Sequence, residues 1–164
     1  MSLKELLFAD LEPELAATRK TLERFPDDRA AWKPHEKSRT LQQLAEHVAE
    51  LPGFASVMLT TDTFDVKNGG RFSTSAPTAA ELLALFDRAA GQLRDAVART
   101  DDERLQQPWT FTAGAHVIVS GPRAVVLRRM GITHLAHHRA QLGVYYRLLD
   151  VPVPGTFGPS ADER

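Results

Sequence analysis

The chain contains no cysteine, which excludes disulfides, thiolate nucleophiles, iron–sulfur clusters and cysteine-based zinc sites. Long apolar runs are missing too, and no window approaches the ~20 residues of a membrane span. Lys4, Glu5 and Asp10 interrupt the N-terminal stretch where a signal peptide needs unbroken apolar sequence, so the expected location is the cytoplasm. Neither sign of charge dominates: 20 Lys and Arg stand against 21 Asp and Glu, a net charge of -1. Arg123, Arg128 and Arg129 form the sole local basic cluster, so no nucleic-acid partner is expected.

What is present is an ordinary globular composition. With 164 residues, 43% hydrophobic and 25% charged, the chain suits one domain over residues 1–164. Such a core needs neither metal nor disulfide merely to fold. Helical periodicity runs from about Leu3 to Phe25, with Leu7, Leu11, Leu15, Thr18 and Leu22 on one stripe. A second helix is predicted over 40–61, opened by Thr40 and Gln43 as a capping box and kinked at Pro52. Asp65 to Pro77, containing Gly69-Gly70, reads as a mobile loop. Thr78 and Glu81 open a third helix over 78–99, and Pro122 a fourth over 122–149. Before that last helix the pattern is irregular, and Trp109–Thr112 can pair with His116–Val119 as a small hairpin. Val151-Pro152-Val153-Pro154-Gly155 stops the fourth helix, and the 151–164 tail should be extended, ordered only where it packs back on the body. Four amphipathic helices predict an all-α four-helix bundle with a short irregular or hairpin segment before the last helix.

The six histidines are the richest source of chemistry. His134 and His138, one helical turn apart, share a stripe with Leu127, Met130, Gln141, Leu142 and Tyr145, which points both imidazoles inward. On the second helix His47 edges the apolar stripe of Leu44, Val48, Leu51, Ala55 and Met58. A buried imidazole without a partner is costly, and three of them on two facing helices fit one shared cation. Three neutral nitrogens suit Zn²⁺, Ni²⁺, Fe²⁺ or Cu²⁺ and leave a coordination position for water or substrate. Hydrogen-bonded core histidines without metal are the competing explanation. His137 falls on the rim, and His35 and His116 belong to exposed segments. Glu46 and Glu50 are expected to turn toward solvent as a charged helix face.

These residues resemble a known family. His134-Leu135-Ala136-His137-His138-Arg139-Ala140-Gln141-Leu142 followed by Tyr145-Tyr146-Arg147 resembles the C-terminal helix motif of the DinB-like superfamily, and the tail Val151 to Asp162 is similar to the family's C-terminal tail. Ser38 to His47 resembles the family's second-helix motif, and Trp32-Lys33-Pro34 the loop before it. The resemblance implies an up-down-down-up bundle with a divalent metal held by His47, His134 and His138. It also implies a homodimer formed through helix faces, with His137 or Val144 as interface residues. Characterised relatives include thiol-dependent transferases and isomerases, in which a metal can favour the thiolate of a small cosubstrate. The chain departs from the mycothiol-dependent maleylpyruvate isomerase pattern, which is acidic where His138-Arg139-Ala140-Gln141 stands, and this argues against that reaction.

The expected function is therefore a metal-dependent enzyme acting on a small molecule, by transfer of a low-molecular-weight thiol or by hydrolysis. Gln141, Arg139 and Tyr145 are its candidates for orienting a ligand or touching substrate. The alternatives are a non-catalytic metal-binding or stress-related protein, which calls for a sealed site with a fourth protein ligand, and a bundle with no metal at all.

Overall fold

The computed structural model describes residues 1–68 and 75–163. In chain order the elements are α1 (Leu3–Leu7), α2 (Leu11–Leu22), a 3₁₀ turn (Asp27–Arg29), α3 (Leu41–Thr60) and β1 (Thr63–Asp65). They continue with α4 (Ala79–Arg99), α5 (Asp102–Gln106), β2 (Pro108–Ala113) and β3 (His116–Pro122). α6 (Arg123–Leu127), a π-helical turn (Arg128–Thr133) and α7 (His134–Leu148) complete the order.

The expected helix starts are set by local hydrogen bonds. Gln43 N donates to Thr40 Oγ1 at 3.2 Å while Thr40 N donates to Gln43 Oε1 at 3.0 Å. Thr78 and Glu81 make the same reciprocal pair at the start of α4. α3 carries on through Pro52, its flanks buried among Leu44, Val48, Leu51 and Met58. These pack with Leu82, Phe86 and Leu93 of α4, Leu15 and Leu22 of α2, and Leu142 of α7 into one core.

The single helix expected over 3–25 is in fact two, and Pro13 is the reason. A proline in the first turn of α2 is tolerated, but inside a continuous helix it would lose the bond to the carbonyl of Ala9 and clash with it. The chain breaks at Phe8–Asp10, and α1 is docked separately by Asp102, which accepts from Leu3 N at 2.9 Å and Lys4 N at 2.8 Å. The helix expected over 122–149 runs without a break from Arg123 to Leu148, with the π turn inside it.

The larger correction is to the fold class. The molecule is helix-rich, but it is not an all-α four-helix bundle, because it contains a three-stranded mixed sheet in the order β1-β2-β3. The hairpin of β2 and β3 turns at Gly114, whose φ of 63° favours glycine, and is bulged at Phe111/Thr112. β1 then adds to β2 in parallel, pairing Phe64 with Phe111. A three-residue strand whose partner lies over forty positions downstream leaves no alternation to detect. The sheet packs on α3 through rings: Phe54 meets Phe111 at 5.4 Å, Phe64 at 5.7 Å and Trp109 at 6.1 Å between centroids. Part of the expected 65–77 loop is strand and turn, and its Gly69-Gly70 portion lies outside the described residues.

The tail packs back on the helices. Asp162 pairs with Arg147 at 2.6 Å and accepts from Val153 N, while Glu163 pairs with Lys20 and Arg24. No helix among the described residues is long and apolar enough to cross a membrane.

Candidate metal centre

α3 and α7 bring His47, His134 and His138 together, with one ring nitrogen of each lying within 4.8 Å of the others. Ring centroids are 4.5 Å apart for His134 and His138, 4.6 Å for His47 and His138, and 5.2 Å for His47 and His134. Three nitrogens around Zn²⁺ at ordinary bond lengths sit about 3.3 Å apart, so small side-chain rotations close the set.

The tautomers can be read from the partners. His134 Nδ1 lies 3.2 Å from the carbonyl oxygen of Met130, and His138 Nδ1 lies 2.7 Å from Gln141 Oε1. Both partners are acceptors, so both Nδ1 atoms carry hydrogen. Both Nε2 atoms are then lone pairs, and they face one another at 2.8 Å. All three rings favour the neutral form. Burial, with Arg39 and the neighbouring imidazoles adding to it, pushes His47 down to about 3. His134 and His138 are also lowered, mainly by burial and against the hydrogen bonds they make to Met130 and Gln141. Two facing lone pairs repel, and His47 makes no hydrogen bond among the described residues. The donor set therefore fits a cation and makes a poor finished core.

The π turn builds one side of this arrangement. It places the Met130 carbonyl under His134 and brings Gly131 against α3, where an added Cβ would lie 3.2 Å from that of Ala55 and 3.1 Å from Leu127 Cδ1. It also resets the helix phase. On α7 the buried stripe is Leu135, Arg139, Leu142 and Tyr146, and the histidine stripe lies at its edge. The imidazoles are half-buried, and His47 and His134 line a cavity of about 200 Å³ walled by Leu51, Phe54, Phe64, Phe111 and Met130.

The remaining candidates separate. Gln141 lies against His138, its Oε1 2.7 Å from Nδ1. Arg139 is buried elsewhere, paired with Glu14 at 2.8 Å and stacked over Phe157. Tyr145 donates to the carbonyl of Arg39 at 3.2 Å and packs on Trp32, fixing the loop before α3. His137 and Val144 are exposed on α7, with His137 against His138 at 4.8 Å. His35 and His116 are exposed. The expectation that Glu46 and Glu50 face solvent fails. Glu46 is buried, accepting from Ala76 N and Gln42 Nε2 at 2.8 Å each, and half-buried Glu50 lines the cavity beside His47. Treating every acid on α3 as outward hid Glu50, though a position one turn after His47 points to the same side. Phe64 and Phe111 were missed because they reach the site from the sheet, and Val66 because it follows β1 directly.

A model of the DinB superfamily matches residues 10–142. No curated protein matches the chain. A DinB-like protein from Bacillus cereus ATCC 10987 is similar in structure, with a TM-score of 0.70 at 17% identity over 91% of this chain and 94% of the other. A DinB-like protein from Bacillus subtilis gives 0.67 at 18% identity over 97% and 99%. At these identities the structural likeness speaks to the fold. The family match spans most of the sequence and includes both site helices up to Leu142, so the chain belongs to the DinB superfamily.

Proposed function

We propose that this protein binds a divalent transition metal, of the zinc, nickel or iron type, through His47, His134 and His138, and acts as a metal-dependent enzyme on a small molecule. The observation that carries this reading is the convergence of three imidazole nitrogens within 4.8 Å, the Nε2 atoms of His134 and His138 2.8 Å apart, with His47 and His134 on the wall of a cavity. A cation held by three neutral nitrogens supplies Lewis acidity to a thiol or water sharing its coordination sphere, lowering that group's pKa.

The protein's own part is positional. Gln141 and the Met130 carbonyl hold the Nδ1 hydrogens and aim the Nε2 lone pairs. The cavity walls exclude water from one side of the rings. With no cysteine in the chain, a sulfur nucleophile has to arrive on a cosubstrate. Transfer of a low-molecular-weight thiol to an electrophile is therefore the favoured reaction, with hydrolysis the variant when water takes the thiol's place. The non-catalytic alternative calls for a fourth protein ligand, and the cluster among the described residues has three members.

Elemental analysis of the purified and the metal-reconstituted protein tests the first half, with one equivalent per chain expected. Turnover of monobromobimane or chlorodinitrobenzene with a panel of small thiols tests the second. Metal that reconstitution cannot restore overturns the whole reading. Full metal with no thiol turnover moves the assignment to hydrolysis or binding.

A further inference from the structure

The cavity beside the imidazoles has a chemical bias that the metal-binding reading does not use. We propose that it is the binding site for an uncharged aromatic ring of the substrate, about the size of a substituted benzene, seated between α3, the sheet and the π turn. This deepens the functional reading above and rests on it for its catalytic meaning, although ring binding itself requires no metal.

Three observations carry the proposal. The first is composition. Among the described residues, Leu51, Phe54, Phe64, Val66, Phe111 and Met130 make up the lining apart from His47, His134 and Glu50. Aromatic and thioether groups meet a ring with favourable edge-to-face and sulfur contacts. Phe54 already meets Phe111 and Phe64 edge-to-face in this way, at 5.4 and 5.7 Å between centroids. The second is size. The volume is about 200 Å³, and apolar cavities of about 150 Å³ accept benzene. The third is polarity along one line. Past His47 the surface changes character, and the adjoining groove is lined by Arg39, Gln43, Glu46 and Glu50. A molecule with its ring among the phenylalanines places its polar, reacting end at His47, against the metal-ligating nitrogens. An anionic ring substituent is disfavoured by loss of its hydration in the apolar cavity.

The methionines provide the readout. The chain has three. Met130 lines the cavity, Met58 is fully buried in the core, and Met1 is exposed. Metal-free protein labelled with methyl-¹³C methionine is titrated with benzyl alcohol and, separately, with benzoate. Benzyl alcohol should move the Met130 methyl resonance saturably while Met58 and Met1 stay in place, and benzoate should bind about tenfold more weakly or worse. Val66→Trp, at a position 46% exposed on the rim, should obstruct the cavity and weaken benzyl alcohol about tenfold, leaving the Met58 resonance and the metal content unchanged. A Met130 signal that does not saturate, equal affinity for benzoate, or undiminished binding by Val66→Trp overturns the proposal. If the metal fails to bind while Met130 still responds, the metal reading falls and ring binding stands. If metal binds and Met130 is silent, the reverse holds.

Discussion

On one flank of α7 the guanidinium of Arg139, 4% exposed, donates to the Glu14 carbonyl at 3.1 Å and to Thr18 Oγ1 at 3.2 Å, and pairs with the Glu14 carboxylate at 2.8 Å. On the adjoining flank, His134 and His138 turn lone pairs toward each other and toward His47. The first group is complementary: every charge meets its opposite, and the contact ties α7 to α2. The second is self-similar, three neutral bases around one point. Buried polar groups that satisfy one another finish a structure, whereas like groups converging on a point leave the finishing to a ligand. By that measure Arg139 is scaffold and the imidazoles are the candidate site, even though one helix carries both at adjacent positions.

Breaking each group in turn should give opposite phenotypes. His134→Ala should produce the largest effect. It removes one of the three proposed ligands, roughly a third of a binding free energy of ~12 kcal/mol, so metal affinity should fall about a thousandfold. The metal-free variant should unfold in urea near the wild-type midpoint, since the lost contact was not a favourable one. Full metal occupancy in His134→Ala would falsify the ligand assignment. Arg139→Met should do the converse, costing about 3 kcal/mol of stability because the Glu14 carboxylate is left buried without its partner, while metal stoichiometry stays at wild-type level. A loss of metal in that variant, at temperatures where it remains folded, would move Arg139 out of the scaffold and into the site.

Gln141→Ala sharpens the boundary between the two groups. The side chain is exposed and touches the site only through His138 Nδ1. Removing it frees the ring to rotate and to change tautomer, which should weaken metal binding about ten- to a hundredfold with stability nearly unchanged. Gln141→Glu keeps the acceptor and should recover most of the affinity. If both variants bind metal like the wild type, the hydrogen bond orients nothing.

What was legible in the sequence is what local geometry controls. Thr40 with Gln43 and Thr78 with Glu81 announce helix starts because three-residue spacing alone brings their groups together. His134 and His138 announce a pair because four-residue spacing fixes their separation on any helix. His47 was readable from its place beside an apolar stripe. Features that depend on distant partners were hidden. The β2–β3 hairpin was readable, but Thr63-Phe64-Asp65 becomes a strand only because β2 lies beside it, so the third strand and the place of Phe64 at the cavity could not be foreseen. The π turn changes the phase of the last helix by one residue, so a uniform period carried across it misaligned Leu127 with the histidines, while Leu142, two turns beyond His134, falls about 80° from it within α7 itself. Pro13 is a different case: its break was readable, and the regular leucine spacing around it obscured the signal.

The smallest expected effect is on acid stability, and it too separates the two groups. In the folded metal-free chain the three imidazoles have lowered pKa values, His47 reaching about 3, chiefly through burial. In the unfolded chain each returns to about 6.5. Above that pH both states hold neutral rings and stability is at its full value. Below it the unfolded state binds protons that the fold refuses, so stability declines as pH falls from about 6.5 toward the folded values. Carboxylates such as Asp62, Asp162 and Glu163, held low by Arg104, Arg147 and Lys20 respectively, lose their contribution only as pH falls below about 4.5. The interval from about 7.5 to 5 thus isolates the histidines. Over it the urea midpoint of metal-free protein should fall steadily, and His47→Gln should flatten the decline by removing the most strongly shifted ring. A midpoint that stays level or rises over the same interval would mean that the rings accept protons in the folded state, and that the cluster is a hydrogen-bonded core after all.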